Sequence, residues 1–432
     1  MATPGWLAWS GPIFPMKRIA YLIIFLAFAF ASAISAADKP VKVKTLLSEA
    51  KAAIKNSRNQ ANAEKNLMDN VAREDVSKTQ RAEMYFMAQE LERSMNAAEN
   101  LKFYLKQPYD TIKFFSTILK MHEYLLICDS IESEPDDLGR INPKYHNRGR
   151  EIMTTYRSNL LNGGKFLLKR NKYAEAFPYF DMYIRTARSD FFLDVFEFRN
   201  DTLLPHVAYW ATVSAYNANQ PRHALRYIDD AINGADTTLR VSLQEYKVRC
   251  YESLQEHDNW LKNLLEGVRL YPAHDYFFLH LMDHYSERKQ YDHAIALCDS
   301  MLHTVGDRAI YWYGQSQMFL SKEQYDSCIV ASNEALRLDS TMLDAYYNKG
   351  ISYLNKAVAF AETACNDIRD PKCRRDRQTL QELYRNAKEP MEQVRKMTPE
   401  DTKRWAQPLY RIYLNLNMGD EFAEMEKILN AK

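Results

Sequence analysis

From Tyr276 onward, apolar residues fall at the spacing of one helix face: Phe277, Phe278, Leu281, Met282 and Tyr285. The polar triplet Arg288-Lys289-Gln290 interrupts that pattern. A second apolar face follows over Tyr291 to His303, with Ala294, Leu297, Cys298 and Met301. Gly306-Asp307 breaks the chain before the plan restarts at Ala309 with Trp312, Phe319, Tyr325, Cys328, Ala335 and Leu336. The spacing predicts two helices joined by a tight turn. The small Ala294 lets them approach, and the Tyr285 ring fills the space beside it.

Upstream, Tyr251, Trp260 and Gly267 end in Tyr271-Pro272, while Tyr209, Ala215 and Tyr216 lead to Pro221, Ala224, Ile228 and Ala231. Gly164, Leu167, Tyr173, Ala176, Phe180 and Tyr183 make a further unit. The units share a register. Tyr251, Tyr285, Phe319 and Tyr353 stand 34 residues apart; Trp260, Ala294 and Cys328 keep the same step, as do Gly267, Met301 and Ala335. That period predicts an all-α array of stacked helical hairpins whose core grows lengthwise.

Two regions depart from it. After Tyr346, Gly350 and Tyr353, the small residue due near 362 is found instead at Ala387, with Val394 and Pro399 behind it. Both helices of this unit are therefore expected to be lengthened, over Leu343–Ala364 and Asp376–Lys396, giving an elongated hairpin at 343–399. A last pair is expected at Trp405–Asn415 and Glu421–Leu429. Residues 38–140 are helical by pattern but match the repeat poorly, with a longer hairpin from Glu83 through Tyr104 and then Thr111 to Cys128. They read as an atypical cap, followed by the array over 141–432. Glu132 to Asn147, with Pro135, Gly139 and Pro143, is the expected break.

From about Asn159 to Leu338 the chain resembles the tetratricopeptide-repeat family, whose units run aromatic, Leu-Gly, Tyr, then a small residue, an aromatic, Ala and Pro over 34 residues. The match is degenerate: Gly fills the Leu-Gly slot only as Gly164 and Gly350, and the closing Pro occurs only as Pro272 and Pro399. The resemblance implies a right-handed superhelical solenoid whose first helices line a concave groove for a peptide. Carried over position by position, that groove would comprise His206, Tyr209, Val213, Tyr216, Tyr276, Leu279, Asp283, Ile310, Tyr313, Gln317, Tyr347, Ile351 and Leu354. Relatives that grip a C-terminal carboxylate use paired Lys and Asn; Lys165 is present here without that set. Filling of the groove by the chain's own cap or long hairpin is the competing expectation.

Charge adds little. Lys and Arg number 57 against 56 Asp and Glu, which gives no electrostatic footprint for nucleic acid. The densest basic run, Lys372, Arg374, Arg375 and Arg377, reads as a solvated helix start. Neither a Gly-rich phosphate loop nor a nucleophile elbow occurs. His280 and His284 sit one turn apart, but without the neighbouring Glu of a hydrolytic zinc helix or a third ligand. No metal, cofactor or catalytic residue is assigned, and the carboxylates show no pairing pattern.

The N-terminal segment changes the setting. Met16-Lys17-Arg18, an apolar run from Ile19 to Phe30, and small residues up to Ala37 have the order of an export signal. Cleavage is expected near Ala36 or Ala37, with residues 1–15 as a spurious start; an uncleaved anchor over Ile19 to Ala37 is the alternative. The expected location is the periplasm, with a protein or peptide partner, an envelope complex and no span after cleavage. In that oxidising setting Cys365 and Cys373 flank a polar tip and are candidates for a local disulfide. Cys128, Cys250, Cys298 and Cys328 read as core thiols. The expected function is a scaffold or adaptor; an outer-membrane glycan binder or an enzyme with an unrecognised site are the alternatives.

Overall fold

The computed structural model describes residues 41–430 other than 136–138, 142, 196–197, 199 and 366–368. The expected export segment and the centre of the Cys365–Cys373 tip lie outside the described residues. Among those described are eighteen α-helices, one short 3-10 turn and no strand. They form two compact units, one within Met1–Phe166 plus Pro178–Asp201, the other Leu167–Phe177 plus Thr202–Lys432.

The first unit opens with α1 (Val43–Asn56), α2 (Gln60–Val71), α3 (Lys78–Tyr104) and α4 (Thr111–Ser133). Val43, Leu46, Leu47, Ala50 and Ala53 lie one helix face apart on α1 and are buried with Leu67, Met84 and Leu91. Ser77 starts α3 with a capping box: its hydroxyl accepts from the Gln80 N–H, and the Gln80 side chain accepts from the Ser77 N–H. The boundary between the units runs through α5 (His146–Leu168) and α6 (Tyr173–Arg188). Gly164 is required by contact: a Cβ there would stand 2.6 Å from the Phe180 ring.

The second unit holds twelve helices: α7 (Leu204–Asn217), α8 (Pro221–Gly234), α9 (Thr237–Ser253), α10 (His257–Leu270), α11 (Asp275–Glu287), α12 (Tyr291–Thr304), α13 (Ala309–Ser321), α14 (Tyr325–Leu338), α15 (Leu343–Thr363), α16 (Pro371–Met397), α17 (Thr402–Asn415) and α18 (Gly419–Asn430). Each packs on the next, so tight turns make them antiparallel pairs with an odd-numbered first helix and an even-numbered second one. The elongated pair predicted from the displaced Ala387 is present as α15 and α16, of 21 and 27 residues.

Small residues set the packing distance. Ala294, Cys298 and Cys328 are wholly buried, and a Cβ on Gly267 would lie 2.3 Å from the Phe277 ring. Tyr311, also wholly buried, meets Phe278 edge-on at 4.9 Å. Five of the six hairpins turn through a residue at positive φ: Asn219, Gln255, Lys289, Glu323 and Asn417. At Gln255 the next N–H reaches the Tyr251 carbonyl while its own reaches Glu252, the Schellman pattern. Lys322 pairs with Asp292 and, one 34-residue step later, Lys356 pairs with Asp326. These exposed ion pairs mark the register more than they stabilise it.

Candidate functional site

The groove positions fall at i, i+3 or i+4, and i+7 along the first helices, so each set shares one face. Tyr209, Val213, Tyr216, Tyr276, Ile310, Tyr313, Tyr347 and Ile351 are half-buried, and Leu279 and Gln317 are exposed. His206 and Asp283 are exposed as well. Leu354 is buried in the core around Met391 and Trp405 and has no face to offer. The first helices touch one another, α13 on α15 and α15 on α17, more closely than any two second helices among the described residues.

Two stretches of the row are joined by direct ring contacts. Tyr216 stacks on Tyr246 of α9, centroids 4.2 Å apart and 19° from parallel. The Arg249 guanidinium lies 5.1 Å over the Tyr276 ring, and Tyr276 meets His280 edge-on at 4.2 Å. Burial works against the Arg249 charge, but Tyr276, Tyr216 and Glu245 outweigh it and raise its pKa. Burial likewise pushes the Tyr276 hydroxyl up to about 12. Further along, the Arg404 guanidinium covers the Tyr347 ring at 4.8 Å and pairs with Asp344. The Tyr313 hydroxyl is raised by burial, then by Asp344 and Asp283. The face thus offers flat rings with fixed cations between them, suited to an apolar or aromatic side chain beside a carboxylate or backbone carbonyl.

Tyr246, Arg249 and Arg404 did not emerge from the family pattern. A signal for the first two exists: stepping back 34 residues from His280 and Asp283 lands on Tyr246 and Arg249. Arg404 follows the lengthened hairpin, where the step is lost.

His280 and His284 part company. His280 belongs to the tyrosine row, whereas buried His284 stacks on His257 at 5.1 Å and lies 5.3 Å from Trp260. Arg288 donates to His284 Nδ1 at 2.8 Å and to His257 Nε2 at 2.9 Å. Burial, then Arg288, lowers the His284 pKa. A cavity of about 350 Å³ beside them is lined by Trp260, Tyr251, Glu252 and Glu287. Among the described residues, no three His, Cys, Asp or Glu side chains converge on a metal position.

One carboxylate pair escaped the sequence reading. Lys120 Nζ lies 2.8 Å from both Glu64 and Glu92, and Tyr124 donates to Glu64 at 2.6 Å. Burial pushes Glu92 up to about 7, while Lys120 and Tyr124 hold Glu64 low against its own burial. Glu92 is only 1% exposed, so the trio neutralises charge inside the first unit. Cys128, Cys250, Cys298 and Cys328 are buried thiols. Burial raises the pKa of each, that of Cys250 to about 11. At the tip of the long hairpin, Cys373 Sγ lies 2.6 Å from the Cys365 carbonyl oxygen. No helix of the described residues is long and apolar enough to cross a membrane.

No protein-family model matches the chain, and no curated protein matches it in sequence. Among solved structures it is similar to the C-terminal part of a TPR repeat-containing protein from Cytophaga hutchinsonii: 12% identity, TM-score 0.34, covering 61% of this chain and 97% of that one. A TPR repeats protein from Bacteroides fragilis gives 17% identity and a TM-score of 0.30 over 60% of this chain and 98% of its own. The TPR domain of P58(IPK) gives 13% and 0.29 over 88% and 99%. At these scores the fold class rests on the chain's own helices: an all-α array of sequential helix pairs with TPR-repeat-like proteins as distant structural neighbours.

Proposed function

We propose that the second unit is a non-catalytic interaction scaffold that holds a peptide or protein segment along its first-helix row. The observation that carries this reading is the half-buried tyrosine series Tyr209, Tyr216, Tyr246, Tyr276, Tyr313 and Tyr347, with Arg249 and Arg404 laid over rings within it. Rings held on rigid helices cost little entropy on binding and supply large contact area, which is the character of interface hot spots. Charge near neutrality supports a protein partner over nucleic acid.

The apolar segment Ile19 to Phe30 supports an exported chain working in the periplasm, as part of an envelope complex. There Cys365 and Cys373 would close the hairpin tip as a disulfide. The loop-closure gain would be about 2–3 kcal/mol. Peptide mapping without reductant reads that bond.

The test is a photo-crosslinking pulldown from cell envelope with reactive groups at Tyr209, Tyr313 and Tyr347. A specific protein partner, lost when those tyrosines become Ser, supports the scaffold. Crosslinks confined to residues 41–131 or to 343–399 overturn it in favour of a groove filled by the chain itself. Capture of glycan alone transfers the reading to carbohydrate binding.

A further inference from the structure

The α3–α4 hairpin ends in a feature the tyrosine row does not use. Leu101, Phe103, Tyr104, Leu105 and Ile112 are 59%, 56%, 75%, 58% and 53% exposed. Four of these lie within five consecutive residues. So much apolar surface at one hairpin end is a cost in water unless something covers it.

The end is ordered. Lys106 takes positive φ, its N–H reaching the Phe103 carbonyl and that of Gln107 the Lys102 carbonyl. Behind the exposed side chains the rings interlock: Phe103 on Tyr109 at 5.5 Å, Tyr109 on Phe114 at 6.2 Å, Phe114 on Phe115 at 5.2 Å. The apolar residues are therefore held outward on a stiff support.

Charge is sorted by depth. Glu99 is 3% exposed and lies beneath the tip, accepting from Lys102 Nζ at 2.9 Å and from the Asp110 N–H at 3.1 Å. Lys113 Nζ stands 3.7 Å from the same carboxylate. Lys102 and Lys113, each about half exposed, reach back to Glu99, Lys106 is exposed at the turn, and Asp110 caps α4 by accepting from the Lys113 N–H. An exposed end of Leu, Phe, Tyr and Ile carrying three lysines against Glu99 and Asp110 keeps a small positive excess, which suits the boundary between acyl chains and anionic headgroups.

We propose that the α3–α4 tip is a membrane-interface anchor: Leu101, Phe103, Tyr104, Leu105 and Ile112 enter an anionic lipid surface while Lys102, Lys106 and Lys113 meet its headgroups. The contact is reversible, since one short apolar tip with a few lysines gives weak interfacial binding rather than insertion.

Co-sedimentation of the full chain with phosphatidylglycerol-rich vesicles, against phosphatidylcholine vesicles, tests this. Every variant keeps Ile19 to Phe30, so only differences between variants count. The combined change Phe103→Ser, Tyr104→Ser, Leu105→Ser should lower partition at least about ten-fold with its thermal unfolding unchanged. The combined change Lys102→Gln, Lys106→Gln, Lys113→Gln should lose the preference for the anionic vesicles. In vesicle-bound wild type, Lys102 and Lys106 should resist trypsin. Equal partition of wild type and the serine variant, or unhindered cleavage at Lys102 and Lys106 in the bound protein, overturns the proposal. A vesicle-free dimer that the serine variant turns into a monomer overturns it too, in favour of self-association.

Discussion

His122 shows how much a single side chain carries here. It is wholly buried, with Nδ1 2.9 Å from the Ile118 carbonyl oxygen and Nε2 3.3 Å from that of Met153. Burial lowers its pKa from 6.5 to about 4. The folded protein therefore holds the ring neutral where the unfolded chain takes up a proton. Stability from this group is whole above pH 6.5 and falls as pH drops toward 4. Between pH 7 and 4.5 the wild type should lose about 2–3 kcal/mol through this residue alone. His122→Gln should lose that much less, as read from urea midpoints at the two pH values; parallel losses would contradict the assignment. Residue roles of this kind were not legible beforehand. Only tertiary packing brings the Met153 carbonyl to the His122 ring. Glu64, Glu92 and Lys120 met for the same reason, through helices that share no repeat register.

At the scale of the helix pair, the 34-residue step was the legible quantity, because each hairpin must repeat the same contact to bury its core. Gly267 and Ala294 stand where rings or helices approach, and their smallness is visible in the sequence. Alanine at three glycines should rank by the space found. Gly267→Ala should cost about 2–3 kcal/mol by pressing on Phe277, and Gly314→Ala less, with Cys298 Sγ at 3.0 Å. Gly419→Ala, with nothing within 4 Å, should be near neutral. Thermal denaturation of the three variants checks the order. The turns were harder to read. Gln255, Lys289 and Glu323 occupy the left-handed position that usually calls for glycine, and nothing in their chemistry announces it. Changing each to Gly should stabilise by about 0.5–1 kcal/mol, with gains that add in a triple variant measured by urea unfolding. A loss of stability at these sites would mean that their side chains make contacts which outweigh the strained backbone.

For the whole molecule, the array and its lengthened pair α15–α16 followed from residue spacing, whereas the row proposed here to hold a partner is read from it only in outline. The family pattern placed Tyr209, Tyr216, Tyr276, Tyr313 and Tyr347 on the first helices, yet passed over α9, whose Tyr246 and Arg249 make the ring contacts to Tyr216 and Tyr276. It also counted Leu354, which the displaced helices of the long hairpin bury. Register is strong evidence where the step holds and silent where an insertion breaks it. The central claim is that the tyrosine row is open and binds a peptide segment. Selection of a displayed random-peptide library on the full chain, followed by titration of the best binder, tests it most directly. Changing Tyr276, Tyr313 and Tyr347 together to Ser should weaken that binder at least about a hundred-fold while leaving helicity intact. Unchanged affinity, or selected peptides that crosslink only outside the first helices, would contradict the account.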